Sequence, residues 1–544
     1  MPGAVAAVGA LLLGSVPAAA APSPVAGATV PDRYLEQRIQ WKPCFAPGEV
    51  PEGLPAGSER LECGSYHAPR NWNRPEDRID ITIAVSRLRP AGGEPKGAVL
   101  TNPGGPGAPG RTLPLVFLGA GRGKLLDSMD VIGIDVRGSG DSTRASCGGM
   151  SYPDELDPRD RSSGNLDLIY DSMALLARHC QVRSGEFGRY VNTEQTAKDL
   201  DLLRQLLGRE RVHWIGYSGG TWLGAYYATY FPDRVGRFVL DSNTEFTATW
   251  QRVVRAFGKG GERRFRVDFA PWVARYDQHY RLGSTGAQVR LTYEQVRAAL
   301  AERPVRLPDG TEFTAPRLDT MLFRTQYAKA SFPAAADTLV ALREATRKDG
   351  HAAGRGVAAA LARMGPMAGE SVEDASNGMG YSIVCNDTEF IGDRRMLIRE
   401  SARLGKRYPL YGWYQRAAPC ASWDRPYLRM PTPDGAGLPP VLMVQSVRDP
   451  ATPVEGAWRA HQRFAGSRML TVTDEGDHGI YASGNPCVDR IVESFVVDGM
   501  PPEGDVSCPG MPLPEPGART AHAWTPNPVL ESERLELRTG ALPR

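Results

Sequence analysis

Ser218 stands in Gly216-Tyr217-Ser218-Gly219-Gly220. The apolar run Val212-His213-Trp214-Ile215 precedes it, and a segment of helical character, Thr221 to Tyr227, follows. A G-x-S-x-G between strand and helix predicts a tight elbow that holds the serine in a strained conformation with its hydroxyl projecting. Side chains at 216 or 220 would collide where strand and helix pack closely. A serine hydroxyl becomes a nucleophile only when a base takes its proton and a carboxylate holds that base. Two later loops supply both. Asp449 follows the apolar run Pro440-Val441-Leu442-Met443-Val444, and His478 follows Met469-Leu470-Thr471-Val472. The order Ser, acid, His, with each residue after a strand, suits elbow-type hydrolysis. Asp474 and Asp477 are rivals to Asp449, but a chain neighbour of the histidine seldom reaches its Nδ1.

Negative charge developing on a carbonyl oxygen needs backbone donors. The residue after the nucleophile, Gly219, offers one N–H. The loop Asn102-Pro103-Gly104-Gly105-Pro106-Gly107 follows an early strand, and Gly105 is the expected second donor. Asp135-Val136-Arg137-Gly138-Ser139-Gly140-Asp141-Ser142 is read as a structural brace.

These loops need strands to carry them. Leu61 to Tyr66 and Ile79 to Val85 predict two antiparallel strands. Short, wholly apolar runs at 98–100, 131–134, 212–215 and 238–240 predict parallel strands covered on both faces. A helix is expected from Glu194 to Leu207, entered at Thr193 and stopped at Gly208. From about 246 to 405 the pattern turns helical, as in Tyr293–Ala301, Ala334–Thr346 and Arg394–Leu404, before strands return at 440–444 and 469–472. The fold class is therefore α/β, a mostly parallel sheet interrupted by a large helical insertion. The tail from 510 is Pro-rich and is expected to be extended.

The 544 residues carry a formal net charge of +2, which gives no bulk attraction for nucleic acid or an acidic membrane. Ala4 to Ala21 is small or apolar, with Pro17-Ala18-Ala19-Ala20-Ala21 suited to cleavage, so an exported, extracellular protein is expected. No other stretch is long enough for stable membrane insertion. Eight cysteines without a C-x-x-C pair favour disulfides over zinc. Many pairings are open; pairing of neighbours (Cys44 with Cys63, Cys147 with Cys180, Cys385 with Cys420, Cys487 with Cys508) closes short loops. No metal or cofactor is called for, and a monomer is expected.

Together, Asn-Pro-Gly-Gly-Pro-Gly, Asp-Val-Arg-Gly-Ser-Gly-Asp-Ser, Gly-Tyr-Ser-Gly-Gly-Thr, Arg448-Asp449-Pro450 and Gly476-Asp477-His478-Gly479 resemble the secreted tripeptidyl aminopeptidases of actinomycetes. The resemblance spans about 60 to 505 and includes Cys385-Asn386-Asp387 and Cys420-Ala421-Ser422-Trp423. It implies an α/β-hydrolase fold related to the prolyl aminopeptidases. The organisation expected from the pattern along the chain is a signal peptide over 1–21, an arm over 22–60, a core over 61–245, a helical cap over 246–405, a second core part over 406–509 and a tail over 510–544. One departure is Pro109, which stands where the family's Gly-Pro-Gly-x-Ser-Gly has a hydroxyl. An exopeptidase must hold a free α-ammonium with carboxylates in a closed pocket; Asp387, Glu389 and Glu245 are the candidates. The expected activity is release of short peptides, tripeptides first, from free N-termini. The alternatives are a secreted esterase or lipase with the same triad, and an inactive hydrolase fold that only binds.

Overall fold

The computed structural model describes residues 30–347, 351–364, 374–426, 428–517, 527–540 and 542–544. The expected leader lies outside them. The strands in chain order are β1 (Lys42–Pro43), β2 (Glu62–Pro69), β3 (Asp80–Leu88), β4 (Ala98–Asn102), β5 (Asp130–Asp135) and β6 (Val212–Tyr217). They continue with β7 (Val235–Asp241), β8 (Val305–Arg306), β9 (Glu312–Phe313), β10 (Val441–Ser446), β11 (Ser467–Thr473) and β12 (Val506–Pro509). Ten of them form one sheet in the order β1-β2-β3-β5-β4-β6-β7-β10-β11-β12, while β8 and β9 pair separately. The first strands pair antiparallel, through β3 on β5. Every pair from β5 to β12 is parallel.

The apolar runs are strands because both faces of the sheet are covered. Val99, Val131, Ile215, Val239 and Leu442 enter one core. Leu100, Ile132, Trp214, Phe238 and Met443 enter the other. The helix after the brace runs Thr193–Leu206, one residue earlier than expected, because the Asn192 side chain caps it by accepting from Gln195 N–H.

A third core lies in the cap, around Phe265, Trp272, Tyr293, Leu318 and Leu339. It also takes Ile169 and Met173 from the helix Ser163–Gly188, which precedes the elbow in sequence. The expected helical windows fall largely in Gly286–Glu302, Phe332–Ala345 and Arg394–Arg407.

The tail departs from expectation. Pro528–Thr539 is a helix, not an extended segment. Asn527 caps Leu530 N–H and Pro528 takes the first turn, where its missing N–H is harmless. Val529 and Leu535 then pack into the sheet's core and Leu530 into the cap's, so the tail helix is wedged between the two. Four disulfides join sequence neighbours: Cys44–Cys63, Cys147–Cys180, Cys385–Cys420 and Cys487–Cys508. Among the described residues no helix is long and apolar enough to cross a membrane.

Candidate active site

Strand register brings the chemistry together. Asn102 at the end of β4 pairs with Gly216 on β6, and Tyr217 pairs with Asp241 on β7. Asp241 pairs in turn with Val444 on β10, and Ser446 pairs with Val472 on β11. The loops after these strands therefore open at one edge of the sheet. Ser218 has φ 53° and ψ −119° and opens the helix Gly219–Tyr230. Such a backbone costs about 1–3 kcal/mol for a non-glycine residue and persists only where its surroundings fix it. A Cβ on Gly216 would sit 2.6 Å from Gly220 O, so the turn closes only without one.

His478 is fully buried, and its Nδ1 lies 2.8 Å from Asp449 Oδ2 and 3.0 Å from Oδ1. Asp449 is fixed independently, since its Oδ1 accepts from Ala451 N–H at 2.8 Å and Thr452 N–H at 2.7 Å. The carboxylate thus favours the tautomer with a proton on Nδ1, which leaves Nε2 with its lone pair. Nε2 is buried and has no hydrogen-bond partner among the described residues. Asp477 turns away to Arg264 at 2.5 Å, and Asp474 is exposed.

The histidine loop is clamped from several elements. His478 N–H donates to Tyr327 O at 2.8 Å, and the Tyr327 ring stands edge-on to the imidazole at 4.9 Å. Asn527 of the tail donates its Nδ2 to His478 O at 2.8 Å. Buried Arg264 pairs with Asp268 and Asp477, and Lys329 pairs with Glu475. Beneath the loop, Asp241 accepts from Tyr481 N–H at 2.7 Å and Ile480 N–H at 3.0 Å. Its carbonyl accepts from Ser218 N–H at 3.0 Å, while Gly479 N–H donates to Ser242 Oγ. Serine and histidine loops are thus both fastened to Asp241. Burial pushes the Asp241 carboxyl up to about 7, opposed by these N–H bonds.

Gly104 lies so near the elbow that a Cβ there would sit 2.4 Å from Tyr217 O. A Cβ on Gly219 would lie 3.3 Å from Gly105 N, so the two residues expected to supply the oxyanion donors lie side by side. Neither N–H finds an acceptor among the described residues.

A cavity of about 560 Å³ starts at Gly105–Pro109, within the size range of small-ligand sites. Trp250, Phe257 and Arg324 of the cap line it, together with Glu533 and Glu536 of the tail helix. The three acids considered for amine binding are not among its lining residues. Glu245 is held by Arg459, with contacts of 2.7 and 2.6 Å, and by Arg252. Asp387 is buried and accepts from Thr193 N–H, Thr193 Oγ1 and Trp250 Nε1; burial pushes it up to about 6. Glu389 is exposed. Sequence reasoning missed Tyr327, Arg264, Lys329, Asp241, Asn527, Glu533 and Glu536. Only the Asn527-Pro528 cap signal could have pointed to the tail pair. No three His, Cys, Asp or Glu side chains are grouped to hold a metal among the described residues.

A strained serine where a central parallel strand meets its helix, with an Asp–His pair delivered by later strand ends, defines the α/β-hydrolase class. Residues 97–309 match the family model for the alpha/beta hydrolase fold, and 408–508 match that described as TAP-like protein. The tripeptidyl aminopeptidase of Streptomyces lividans is 32% identical over 502 residues, covering 89% of each chain. The serine protease Hip1 of Mycobacterium tuberculosis is 27% identical, covering 87% of this chain and 91% of its own. Carboxylesterase B of the same species is 28% identical, covering 92% and 96%. This chain belongs to the tripeptidyl aminopeptidase family and is a serine hydrolase of the peptidase kind.

Proposed function

We propose that this protein is an exported serine exopeptidase that releases tripeptides from free N-termini. Ser218 Oγ attacks the scissile carbonyl and His478 Nε2 takes its proton. Asp449 holds the imidazole and the charge it acquires. The N–H groups of Gly219 and Gly105 receive the oxyanion. His478 then protonates the leaving amine, and water activated by His478 resolves the acyl-enzyme. The observation that carries the reading is the Asp449–His478 bond with Nε2 left unpartnered, on a loop fastened, like the elbow, to Asp241. The length of peptide released follows the similarity to the Streptomyces enzyme named above. Four disulfides and the small, apolar N-terminal stretch support export.

The second reading is an ester hydrolase, favoured by the likeness to the mycobacterial protein named carboxylesterase B. Turnover of a tripeptidyl amide, its N-acetylated twin, a monoaminoacyl amide and a short acyl ester separates the two. The aminopeptidase reading expects the unblocked tripeptide to be cut far faster than the others. Equal cleavage of the blocked peptide refutes it, and turnover confined to the ester establishes the rival.

A further inference from the structure

We propose that Glu536, on the tail helix Pro528–Thr539, is the carboxylate that receives the substrate's α-ammonium. This assignment rests on the aminopeptidase reading above and names the residue that would enforce it. The charges lining the cavity single this residue out. Arg324 donates to Glu533 at 2.6 Å. Arg416 is held by Asp154 at 3.0 Å, and Asp141 by Arg111 at 2.9 Å. Arg144 is engaged by Gly140 O and Asp141. Glu536 differs: one oxygen accepts from Thr112 Oγ1 at 2.7 Å, and the group makes no salt bridge among the described residues. One carboxyl of the cavity wall thus makes no ion pair of its own, the nearest opposite charge being the Arg111 guanidinium, which is paired with Asp141.

The surroundings would strengthen a charge pair formed with a cationic ligand. Trp250, Val254, Phe257 and Leu537 line the same cavity, so a charge pair formed there is weakly screened. Burial, with the neighbouring Asp135 carboxylate adding to it, pushes Glu536 up to about 8. Asp135 is itself spoken for, by the N–H groups of Gly110, Arg111 and Asp141. An ammonium brings three N–H donors and one positive charge, and its approach would draw the proton off Glu536 and pair with the carboxylate. A blocked or absent amine would leave Glu536 protonated and bonded to Thr112 alone, so the wrong ligand forgoes the charge pair that the right one forms. The residue reaches the cavity from the far end of the chain, on the element whose Asn527 also fixes His478. Amine recognition and histidine placement therefore share one support.

The test compares kcat and KM for a tripeptidyl amide and its des-amino twin, in the wild-type protein and in Glu536→Gln. Glutamine keeps an oxygen for Thr112 but no charge. The wild type is expected to favour the amine substrate, and Glu536→Gln to lose roughly 10- to 100-fold in kcat/KM on it, mainly through KM. The preference over the des-amino twin should then collapse, which a merely structural role would not produce. Equal losses on both substrates overturn the assignment. An intact amine preference in Glu536→Gln overturns it while leaving the aminopeptidase reading standing. A wild type that ignores the amine overturns both. Should Glu536→Gln fail to fold, Glu536→Asp decides: a KM rise confined to the amine substrate supports the assignment, and unchanged kinetics refute it.

Discussion

Asp449→Asn is the most informative single change, because the surrounding bonds dictate how the new side chain must lie. Asp449 Oδ1 accepts two backbone N–H groups, from Ala451 and Thr452 at 2.8 and 2.7 Å. An asparagine must therefore keep its carbonyl oxygen on that side, or set donor against donor. Its NH2 then faces His478 Nδ1, where Oδ2 now stands at 2.8 Å. Nδ1 becomes an acceptor, the proton moves to Nε2, and the base that should take the Ser218 proton is lost. Loss of the correct tautomer in a Ser-His-Asp site lowers kcat about ten-thousand-fold, or about 5.4 kcal/mol at 1.36 kcal/mol per decade. KM should move little, since no contact to substrate is removed. The assay is steady-state hydrolysis of a tripeptidyl amide, with circular dichroism and Tm confirming the fold. Asp449→Ala should differ in stability: it leaves the two backbone donors unpaired, at about 1–3 kcal/mol each. Activity of Asp449→Asn within tenfold of wild type, or an effect confined to KM, would refute the reasoning.

Two further outcomes follow from the clamps around the site. Asp241 has a folded pKa raised to about 7 against an unfolded value near 4, so its contribution is fully present below about pH 4 and is lost as pH rises through 7. Asp241→Asn should therefore gain Tm relative to wild type between pH 4 and 8, and a gap constant with pH would contradict the burial argument. Asn527→Ala removes both the tail-helix cap and the bond to His478 O. It should cost about 1 kcal/mol of stability and lower kcat by between several-fold and about 100-fold; loss of Tm at unchanged kcat would show that the tail does not position His478.

The elbow, the acid loop and the histidine loop were legible because each signal is local: glycines around a serine, and short apolar runs ending in turns. Strand order adds nothing to those signals, yet it sets the distances, and only the register of Asn102 on Gly216 and of Asp241 on Val444 does so. β12 was missed because four residues ending in Pro509 at the sheet edge carry little pattern. The tail helix was hidden by the prolines around it, although Asn527-Pro528 is a sound start signal. Roles of acids were the least legible. Glu245 meets Arg459, more than two hundred residues away in the chain, and so becomes structural. Glu536 looks like any helix-surface glutamate until the cavity beside it is seen. A carboxylate's partner is decided by tertiary structure, and sequence spacing is silent on it.

The central claim is that Ser218 is the nucleophile. Reaction with a fluorophosphonate, followed by proteolysis and mass spectrometry, tests it most directly. The predicted result is one stoichiometric adduct on the Ser218 peptide, absent from Ser218→Ala, with peptidase activity lost in step with labelling. An adduct elsewhere, or full activity in Ser218→Ala, would contradict it.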